Sequence, residues 1–349
     1  MLGTSPDSKG GMGTVVKGFD RDLMLSRYRF IHVVTHRDAS SFGKVAVAIS
    51  GYLRFCKLLK AKSIDLVHIH SSFGASFTRA LPFIRLAVRA GIPIVNHIHA
   101  GDWSVFYERA SVKKKKLIAE TYGSCTKLIA LSQEWADLLG TVVPKSKIVV
   151  LENFTPIYDG THVPDRTCKR VLYMGRLERE KGVDEMPEIC FQVSRDIPDV
   201  KFVLCGDGPL KGWIETEFSK RGLEENLSCL GWIDGKEKLG ILKSSSLFLL
   251  PSRFEGMPMS VLEAMGLGLP VVATDVGGIP QIVQSGANGV LCAPGDTETM
   301  ASAIVKILGN EDLYAAMSGK SKSIAESHSI PVYSFELESI YDEVLEAEC

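Results

Sequence analysis

Several features that would fix the class of a protein at once are missing from this 349-residue sequence. No apolar stretch reaches the roughly 18 residues that a membrane-spanning helix requires, and no signal-peptide pattern is present at the start. No internal repeat or low-complexity segment is evident. We therefore expect a protein that is not integral to a membrane. Its length is sufficient for two domains, each with its own core.

Cysteine is present, but its spacing indicates neither disulfides nor metal. The eight cysteines form no Cys-x-x-Cys pair and no zinc-binding pattern. Several of them lie inside apolar runs, so we interpret them as reduced core residues of a cytoplasmic protein.

Charge is distributed unevenly, although the whole chain is almost neutral. Residues 1–150 contain 22 lysines and arginines and 10 acidic residues, whereas residues 151–349 contain 18 and 31. The first part therefore carries +12 and the second −13, in agreement with the net charge of −1. Such asymmetry indicates an anionic partner for the basic half. No recognised nucleic-acid-binding module accompanies the basic residues, so nucleic acid is not the expected partner.

Two basic clusters lie in this first half. Lys113–Lys116 opens or occupies a predicted helix, and Arg79, Arg85 and Arg89 punctuate the apolar segment Phe77–Ala90. A basic amphipathic surface is typical of peripheral docking on anionic lipid, here the inner face of a membrane, but it also describes a solvated helix face. Both interpretations stay open on the sequence alone.

Short apolar segments alternate with helical ones along the chain, which predicts parallel sheets built from strand-helix-strand units. The polar stretch Tyr158–Thr167 separates two such halves and is the predicted linker. We expect an N-terminal domain over residues 1–160, a C-terminal domain over 168–328 and a final helix over 329–349. The predicted strands are Phe30–Thr35, Leu66–Ile69, Ile94–Ile98, Lys127–Leu131 and Ile148–Leu151, then Arg170–Met174, Lys201–Cys205, Leu227–Leu230, Leu247–Leu250, Pro270–Thr274 and Gly289–Cys292.

A glycine-rich turn lies near the start of the chain. Gly10–Gly13 is expected to follow the first strand and to open a helix, where glycine lets the backbone approach a phosphate closely. The strand expected before it is reduced to Met1–Gly3. If that strand were missing, one position of the first sheet would be empty and catalytic competence would be in doubt.

Two glutamates eight positions apart are the most informative feature of the second half. Glu255 and Glu263 lie in Pro251–Met265, which follows the apolar run Ser246–Leu250. The apolar run, a glycine turn and a helix that begins near Pro258 form a strand-loop-helix unit. The two carboxylates are placed to hold different parts of one elongated ligand. Carboxylates suit hydroxyl groups, such as those of a ribose and a hexose, rather than phosphate.

Groups that suit phosphate accompany these carboxylates. Backbone N–H groups of Gly256, Met257 and Ser260 would be unpaired at the helix start and could face a phosphate or a sugar hydroxyl. Upstream, Arg176 offers a planar fork and Lys181 a point charge, a combination that fits a diphosphate whose charge must be neutralised. This chemistry requires no metal ion.

Together these motifs resemble the retaining glycosyltransferases of family 4. The two-glutamate segment with its upstream arginine and lysine is specific, whereas each glycine turn alone is weak. The resemblance implies a GT-B fold, in which two Rossmann-like domains face each other across a cleft and the last helix returns to the first domain. It rests on Gly175–Gly182, Cys205–Pro209 and Pro251–Val272, and extends through Gly10–Gly13, Val67–His70, His97–His99, Leu131–Ser132 and Asn153.

The resemblance also implies a reaction. A hexose would pass from a UDP- or GDP-sugar to a hydroxyl of a glycan or lipid-linked acceptor, with retention of configuration, in cell-surface polysaccharide or glycolipid synthesis. Arg176 and Lys181 would stabilise the departing diphosphate, which needs no cofactor and no metal. Glu263 would hold ribose hydroxyls, Glu255 the donor sugar, and His99 would contact that sugar from the other domain. Further donor contacts are expected from Gly256, Met257, Pro258, Ser260, Gly11 and Gly13.

The histidines and one aspartate have competing structural roles. Strand alternation places His97 and His99 on the same side, with His99 nearer the carboxyl end, where α/β sheets bind ligands. His97 is expected to be structural, as are His68 and His70 at the end of another strand. Asp102 is a candidate to orient His99 or to contact acceptor hydroxyls.

One apparent metal motif is discounted. Asp20-Arg-Asp22 looks like the metal-binding motif of the other major glycosyltransferase fold, but it lies in the predicted first helix rather than at a strand end. We interpret Asp20 and Asp22 as surface charge.

Two other functions remain open on the sequence. A nucleotide-sugar epimerase of the same fold would need further acid and base carboxylates, and it would form an epimer without acceptor. A non-catalytic nucleotide-sugar-binding protein would bind a donor without turnover.

Overall fold

A computed structural model describes residues 1–23, 25–99, 101–156, 158 and 168–347. The chain divides into two compact units, of which the first comprises Met1–Phe154 with Ile330–Cys349 and the second Thr155–Ser329. Apart from Tyr158, the predicted linker lies outside the described residues.

The first unit is built on a six-stranded parallel sheet with the order β2-β1-β3-β4-β5-β6. Its strands are β1 (Leu2–Thr4), β2 (Val33–His36), β3 (Val67–Ser71), β4 (Ile94–Ile98), β5 (Lys127–Ala130) and β6 (Ile148–Val150). Its helices are α1 (Gly11–Arg21), α2 (Ser41–Lys60), α3 (Ala75–Arg89), α4 (Val112–Gly123), α5 (Gln133–Gly140) and, from the end of the chain, α13 (Ile330–Glu346).

The second unit repeats this architecture with the strand order β12-β11-β10-β7-β8-β9. Its strands are β7 (Arg170–Met174), β8 (Lys201–Cys205), β9 (Leu227–Gly231), β10 (Leu247–Leu250), β11 (Val271–Thr274) and β12 (Gly289–Cys292). Its helices are α6 (Met186–Asp196), α7 (Lys211–Lys220), α8 (Gly235–Lys243), α9 (Met259–Gly266), α10 (Ile279–Ile282), α11 (Thr297–Gly309) and α12 (Glu311–Ser327).

The first strand is short but present. β1 lies between β2 and β3, with Leu2 opposite both Val33 and Ile69. The sheet position that a missing strand would leave empty is therefore filled. β2 begins at Val33, whose N–H bonds to the Met1 carbonyl, so the prediction of a strand from Phe30 was three residues too early. Phe30 instead packs against the rings of Phe19 and Tyr341.

Most other predicted strands agree with the structure to within a few residues. Ile94–Ile98, Arg170–Met174, Lys201–Cys205, Leu247–Leu250 and Gly289–Cys292 coincide with β4, β7, β8, β10 and β12. Nearly every residue of these strands is buried, because helices cover both faces of a parallel sheet. Buried strands of this kind are continuous apolar runs, which is why their limits are readable from sequence.

The last helix is fastened to the first unit by polar contacts. Glu338 accepts hydrogen bonds from the backbone N–H groups of Ser26 and Arg27 at 2.6 and 2.9 Å, and Arg27 pairs with Asp342 at 2.6 Å. Tyr333 and Tyr341 of the same helix are buried. The helix thereby closes the first unit, to which it contributes two core aromatic rings.

Two general expectations can be compared with the described part of the chain. No helix there combines the length and apolar character needed to cross a bilayer. The seven cysteines described are all free thiols, and four of them are buried, namely Cys125, Cys190, Cys205 and Cys292.

Candidate functional site

The site of the second unit lies where loops gather at the carboxyl edge of its sheet. Two glycines make the close approach possible. Gly182 has φ 64°, and a Cβ there would lie 1.8 Å from the Pro251 carbonyl oxygen. Gly277 has φ 57°, and its Cβ would lie 1.9 Å from the carbonyl oxygen of Glu255. Only glycine tolerates both the left-handed backbone and the contact, so the loops after β7, β10 and β11 are held together.

Glu255 is buried in this assembly and paired with a lysine from another loop. Lys181 Nζ lies 2.6 Å from Glu255 Oε1, and the Ser252 hydroxyl donates to the same oxygen at 2.8 Å. The sequence analysis assigned Lys181 to the diphosphate and Glu255 to the donor sugar, and the fold brings these two side chains into contact. A buried carboxylate with a cationic partner and a hydroxyl donor is held in a fixed position.

Glu263 is also buried, inside α9, and it too has a lysine partner. Lys238 Nζ of α8 lies 2.8 Å from Glu263 Oε1. Sequence reasoning missed Lys238, because it belongs to the polar run Lys236-Glu237-Lys238, which looks like a solvated helix face. The available signal was indirect: a carboxylate buried in an apolar helix requires a nearby cation.

Arg176 occupies a more open position than Lys181. Its side chain is about half exposed, and its Nε lies 3.0 Å from Glu178 Oε1. The Tyr173 hydroxyl donates to the Arg176 carbonyl at 2.7 Å and fixes the loop. Burial raises the pKa of Tyr173 well above its usual range, so the hydroxyl remains a donor at all physiological pH values. The guanidinium is therefore carried on a rigid loop with its end towards solvent.

The helix that carries Glu263 begins as predicted. α9 starts at Met259, directly after Pro258, and Ser260 lies in its first turn. The preceding loop is anchored because the Gly278 N–H bonds to the Gly256 carbonyl at 2.7 Å. Met257 and Pro258 are buried and so help to fix the conformation of the loop. The first N–H groups of a helix lack intrahelical partners and form a site for anionic groups.

In the first unit, the glycine turn follows β1 and opens α1, as predicted. Gly10 has φ 109°, and α1 begins at Gly11. At Gly13 a Cβ would lie 1.9 Å from the Ser8 carbonyl oxygen, so the turn folds tightly back on the helix. The Thr4 hydroxyl donates to the Ser8 hydroxyl at 2.8 Å and ties the turn to the strand end.

Four histidines form a stack of imidazole rings at the carboxyl ends of β3 and β4. His68 and His70 come from β3, and His97 and His99 from the end of β4, all on the same sheet face. His70 Nδ1 lies 2.8 Å from His99 Nε2, and His68 Nδ1 lies 2.5 Å from the Tyr341 hydroxyl. His97 is fully buried, and no residue of the described chain hydrogen-bonds to its ring nitrogens.

Burial keeps this stack neutral. It lowers the pKa of His68, His70 and His97 well below the usual range, and that of His99 to about 3. His99 is the member that is partly exposed, at the strand end where it was expected. A neutral His99 can donate or accept a hydrogen bond to a hydroxyl but brings no charge to a site.

Three of these histidines lie close enough together to raise the question of a metal site. Ring nitrogens of His68, His70 and His97 lie within 4.8 Å of one another. The rings of His68 and His70 are stacked at 24°, however, and a histidine binds metal in the plane of its ring. Two rings stacked face to face direct their in-plane lone pairs side by side and not towards one ion. The arrangement fits a packed stack better than a metal centre.

Asp102 and the Asp20-Arg-Asp22 motif have simpler positions. Asp102 Oδ1 accepts a hydrogen bond from the Val105 N–H at 3.0 Å, so this carboxylate caps the helical turn that follows it. Asp20 belongs to α1, and Asp22 is exposed directly after that helix. The motif lies at the end of a helix and not at a strand end, as the sequence predicted.

The arginines of α3 differ in exposure. Arg85 and Arg89 are exposed, whereas Arg79 is half-buried and lines a cleft. The reason is helical geometry, since Arg79 lies six residues before Arg85, well over one and a half turns. Lys114 and Lys115 lie over aromatic rings, 5.4 Å and 5.2 Å from the ring centroids of Phe106 and Tyr107.

Comparison with known proteins agrees with these features. Residues 158–323 match the protein family described as "Glycosyl transferases group 1", and residues 14–157 match the family described as "Glycosyltransferase Family 4". The UDP-Gal:alpha-D-GlcNAc-diphosphoundecaprenol alpha-1,3-galactosyltransferase of Escherichia coli is 30% identical over 277 residues, which cover 74% of this chain and 70% of that enzyme. The chain is a member of the group 1 glycosyltransferases.

Other similarities extend the picture for this glycosyltransferase. The alpha-D-kanosaminyltransferase of Streptomyces kanamyceticus is 31% identical over 175 residues, which cover 50% of this chain and 45% of that relative. The chain thus spans under half the length of that enzyme. The crystal structure of Anabaena Alr3699/HepE in complex with UDP superposes with a TM-score of 0.78 at 19% identity and covers 98% of both chains. The fold is therefore GT-B.

Proposed function

We propose that this glycosyltransferase moves a hexose from a UDP- or GDP-sugar to a hydroxyl of a glycan or lipid-linked acceptor, with retention of anomeric configuration. One observation supports this more than any other. The loop after β10 and the helix α9 carry two buried carboxylates, Glu255 and Glu263, and each of them is paired with a lysine from another part of the second unit. Such a pair offers acceptors for hydroxyls of two different sugars on one ligand.

In this proposal the Lys181–Glu255 pair changes partners when the donor binds. Lys181 turns from Glu255 to the diphosphate, whose negative charge increases as the bond to the sugar breaks. Glu255 is then free to accept a hydrogen bond from a donor-sugar hydroxyl while Ser252 keeps it in place. Arg176 adds a second cation to the diphosphate, and Glu263 accepts from ribose hydroxyls.

We propose retention on the family resemblance, without a covalent intermediate on the enzyme. In this scheme Ser252 holds Glu255 in place to accept from a sugar hydroxyl, which is a binding role and not that of a nucleophile. The acceptor hydroxyl would attack on the side from which the diphosphate leaves. His99 would position the donor sugar by a neutral hydrogen bond. No metal or cofactor enters this scheme.

The names of relatives support the substrate classes proposed. The Escherichia coli relative is named for UDP-Gal and a diphosphoundecaprenol acceptor, and the Anabaena structure contains UDP. We infer a uridine nucleotide as the first donor to test and a diphosphate-linked glycan as the first acceptor. A role in cell-surface polysaccharide or glycolipid synthesis follows from such an acceptor.

We infer further that the protein docks on the inner face of a membrane through α2. Phe42 is 90% exposed, and Val45, Ile49 and Leu53 are each more than half exposed, at spacings that place all four on one face. The helix also carries four cations, Lys44, Arg54, Lys57 and Lys60, and no acidic residue. An apolar stripe flanked only by positive charge fits an anionic bilayer, and it would repel a second copy of itself.

The direct test is a transfer assay with UDP- and GDP-hexoses and a lipid-diphosphate-linked glycan. We expect one sugar to be transferred, with product and donor sharing the same anomeric configuration by NMR coupling constants. Formation of an inverted linkage would contradict retention. Binding of donors without transfer to any acceptor would contradict the enzymatic function.

A further inference from the structure

We propose that Arg79 forms a subsite for an oxyanion, a phosphate or carboxylate group of the acceptor, in a cleft at the carboxyl edge of the first sheet. The assignment to the acceptor rests on the proposed function, whereas the anion subsite itself does not.

The cleft is lined by residues of β1, β2 and β3 and of the first turns of α1 and α3. Thr4 ends β1, His36 ends β2, and Met12 and Ser76 come from the first turns of α1 and α3. Arg79 lies three residues after Ser76, on the same face of α3. The carboxyl edge of a parallel sheet is where ligands of α/β proteins bind. The cleft lies entirely within the first unit.

Arg79 lacks a counter-charge. In the described chain the guanidinium makes no ion pair and no hydrogen bond, although the residue is half-buried and burial lowers its pKa. Lys44 adds positive charge around His36, and the acidic group near that histidine is Asp38, which already accepts from the Lys9 N–H at 2.9 Å. Partial removal of a guanidinium from water costs free energy when no carboxylate pairs with it, and binding of an anion would offset this cost.

The sequence around the cleft is rich in cations and poor in anions. Between Ala39 and Gly101 the chain has eight lysines and arginines, and Asp65 is its single acidic residue. This segment includes β3 and both helices that bring cations to the cleft, α2 and α3. The positive field is therefore a property of the whole segment and not of one side chain.

The hydrogen-bonding groups select an oxyanion. Arg79 offers a planar fork of N–H donors that matches phosphate and carboxylate. The Ser76 hydroxyl oxygen already accepts from the Ser72 N–H at 3.1 Å, so its proton is available for donation. Burial and the neighbouring cations lower the pKa of His36, which then adds a neutral group. The guanidinium of Arg79 and the hydroxyl of Ser76 thus both present donors to a ligand, as an anion requires.

The first experiment measures binding of inorganic phosphate and pyrophosphate by calorimetry, with UDP present in excess so that the donor site is filled. The wild-type protein should bind, Arg79→Gln should bind at least tenfold more weakly, and Arg79→Lys should recover part of the loss. Arg85→Gln, on the exposed face of the same helix, should change affinity less than twofold. Equal affinity of Arg79→Gln and wild type would overturn the subsite.

The second experiment identifies the source of the anion by comparing three acceptors with the same terminal sugar: a lipid-diphosphate-linked one, a uronate-containing one and a neutral alkyl glycoside. Arg79→Gln should raise KM at least tenfold for one anionic acceptor, with kcat and the neutral acceptor unchanged. An equal rise for all three acceptors would show a general defect and overturn the assignment. If no acceptor is used at all while phosphate binding still depends on Arg79, the proposed transfer fails and the subsite stands.

Discussion

The two units of this glycosyltransferase bury polar groups at the same edge of similar sheets in opposite ways. The second unit buries carboxylates and gives each a lysine, as in the pairs Lys181–Glu255 and Lys238–Glu263. The first unit stacks four imidazoles, three of them buried, and keeps them neutral, with no carboxylate among their hydrogen-bond partners in the described chain. One edge is thus an ion-paired site whose charges are present before any ligand arrives. The imidazole stack at the other edge carries no charge.

This difference separates the two units in their response to pH and to mutation. Removing one member of a buried ion pair leaves an uncompensated charge, which is costly at any pH where that group is ionised. The neutral imidazole stack buries no charge until it is protonated. The comparison therefore predicts acid sensitivity in the first unit and sensitivity to loss of lysine in the second.

The largest effect should come from acid. The structure lowers the pKa of all four histidines, so below the ordinary value of 6.5 the unfolded chain takes up protons that the folded unit refuses. Stability of the first unit is complete above that pH and falls as pH decreases, by up to about 1.4 kcal/mol per pH unit for each histidine. Urea unfolding between about pH 7.5 and 5 measures this slope.

Restricting tryptophan to the first unit makes the unfolding measurement specific for that unit. Trp103 and Trp135 lie in the first unit, and Trp213 and Trp232 in the second. In a variant with phenylalanine at both second-unit positions, fluorescence reports the first unit alone. Adding His97→Phe should flatten the slope by about one histidine's share. A pH-independent first unit would show that the stack is not held neutral.

A second effect tests the ion-paired edge. Lys238→Met leaves Glu263 buried without a cation and should lower the free energy of unfolding by up to about 3 kcal/mol. Adding Glu263→Gln should restore part of this loss, because the orphaned charge is removed. Lys220→Met, which breaks an exposed pair with Glu217, should cost under about 1 kcal/mol. Equal costs for the two lysine variants would remove the distinction between the pairs.

A third effect concerns the apolar stripe of α2. Phe42→Ser with Ile49→Ser should weaken binding to anionic vesicles by about 2 kcal/mol, or roughly 30-fold, since both side chains lose apolar contact with lipid. Phe335→Ser is the matched control, because Phe335 is 71% exposed on α13. Replacing Lys113–Lys116 by glutamine should have a smaller effect that disappears at high salt. Co-sedimentation in which the α2 variant binds as wild type would contradict docking by this helix.

The smallest effect should be that of metal removal. If Arg176 and Lys181 balance the charge of the diphosphate as proposed, turnover should survive EDTA, and Asp20→Asn with Asp22→Asn should be close to neutral. Complete loss of activity in EDTA, restored by manganese or magnesium, would require a metal in the reaction.

Much of this fold was predictable because buried parallel strands are short apolar runs with polar ends. β4, β7, β8, β10 and β12 were predicted to the residue for that reason. The limits of β2 were not, because they depend on where its neighbour begins. Local sequence carries no information on such pairing.

The candidate site was predictable by residue but not by pairing. Glu255 and Lys181 were both identified, yet their contact depends on loops 74 residues apart that Gly182 and Gly277 allow to meet. Lys238 was missed because a charged residue on a helix usually faces solvent. Arg79 was assigned to the surface for the same reason. In each case burial decided the role, and burial is a property of the tertiary structure.

The central claim is that the ion-paired edge of the second unit holds the diphosphate of the donor. The most direct test is kcat/KM for the UDP-sugar in Arg176→Ala, because this exposed side chain is not needed for folding, with Lys181→Ala as its partner. Each variant should lose about 2–4 kcal/mol of transition-state stabilisation, or roughly 30- to 1000-fold in rate. Lys220→Ala serves as the surface control. Near wild-type kcat/KM in both Arg176→Ala and Lys181→Ala would contradict the account.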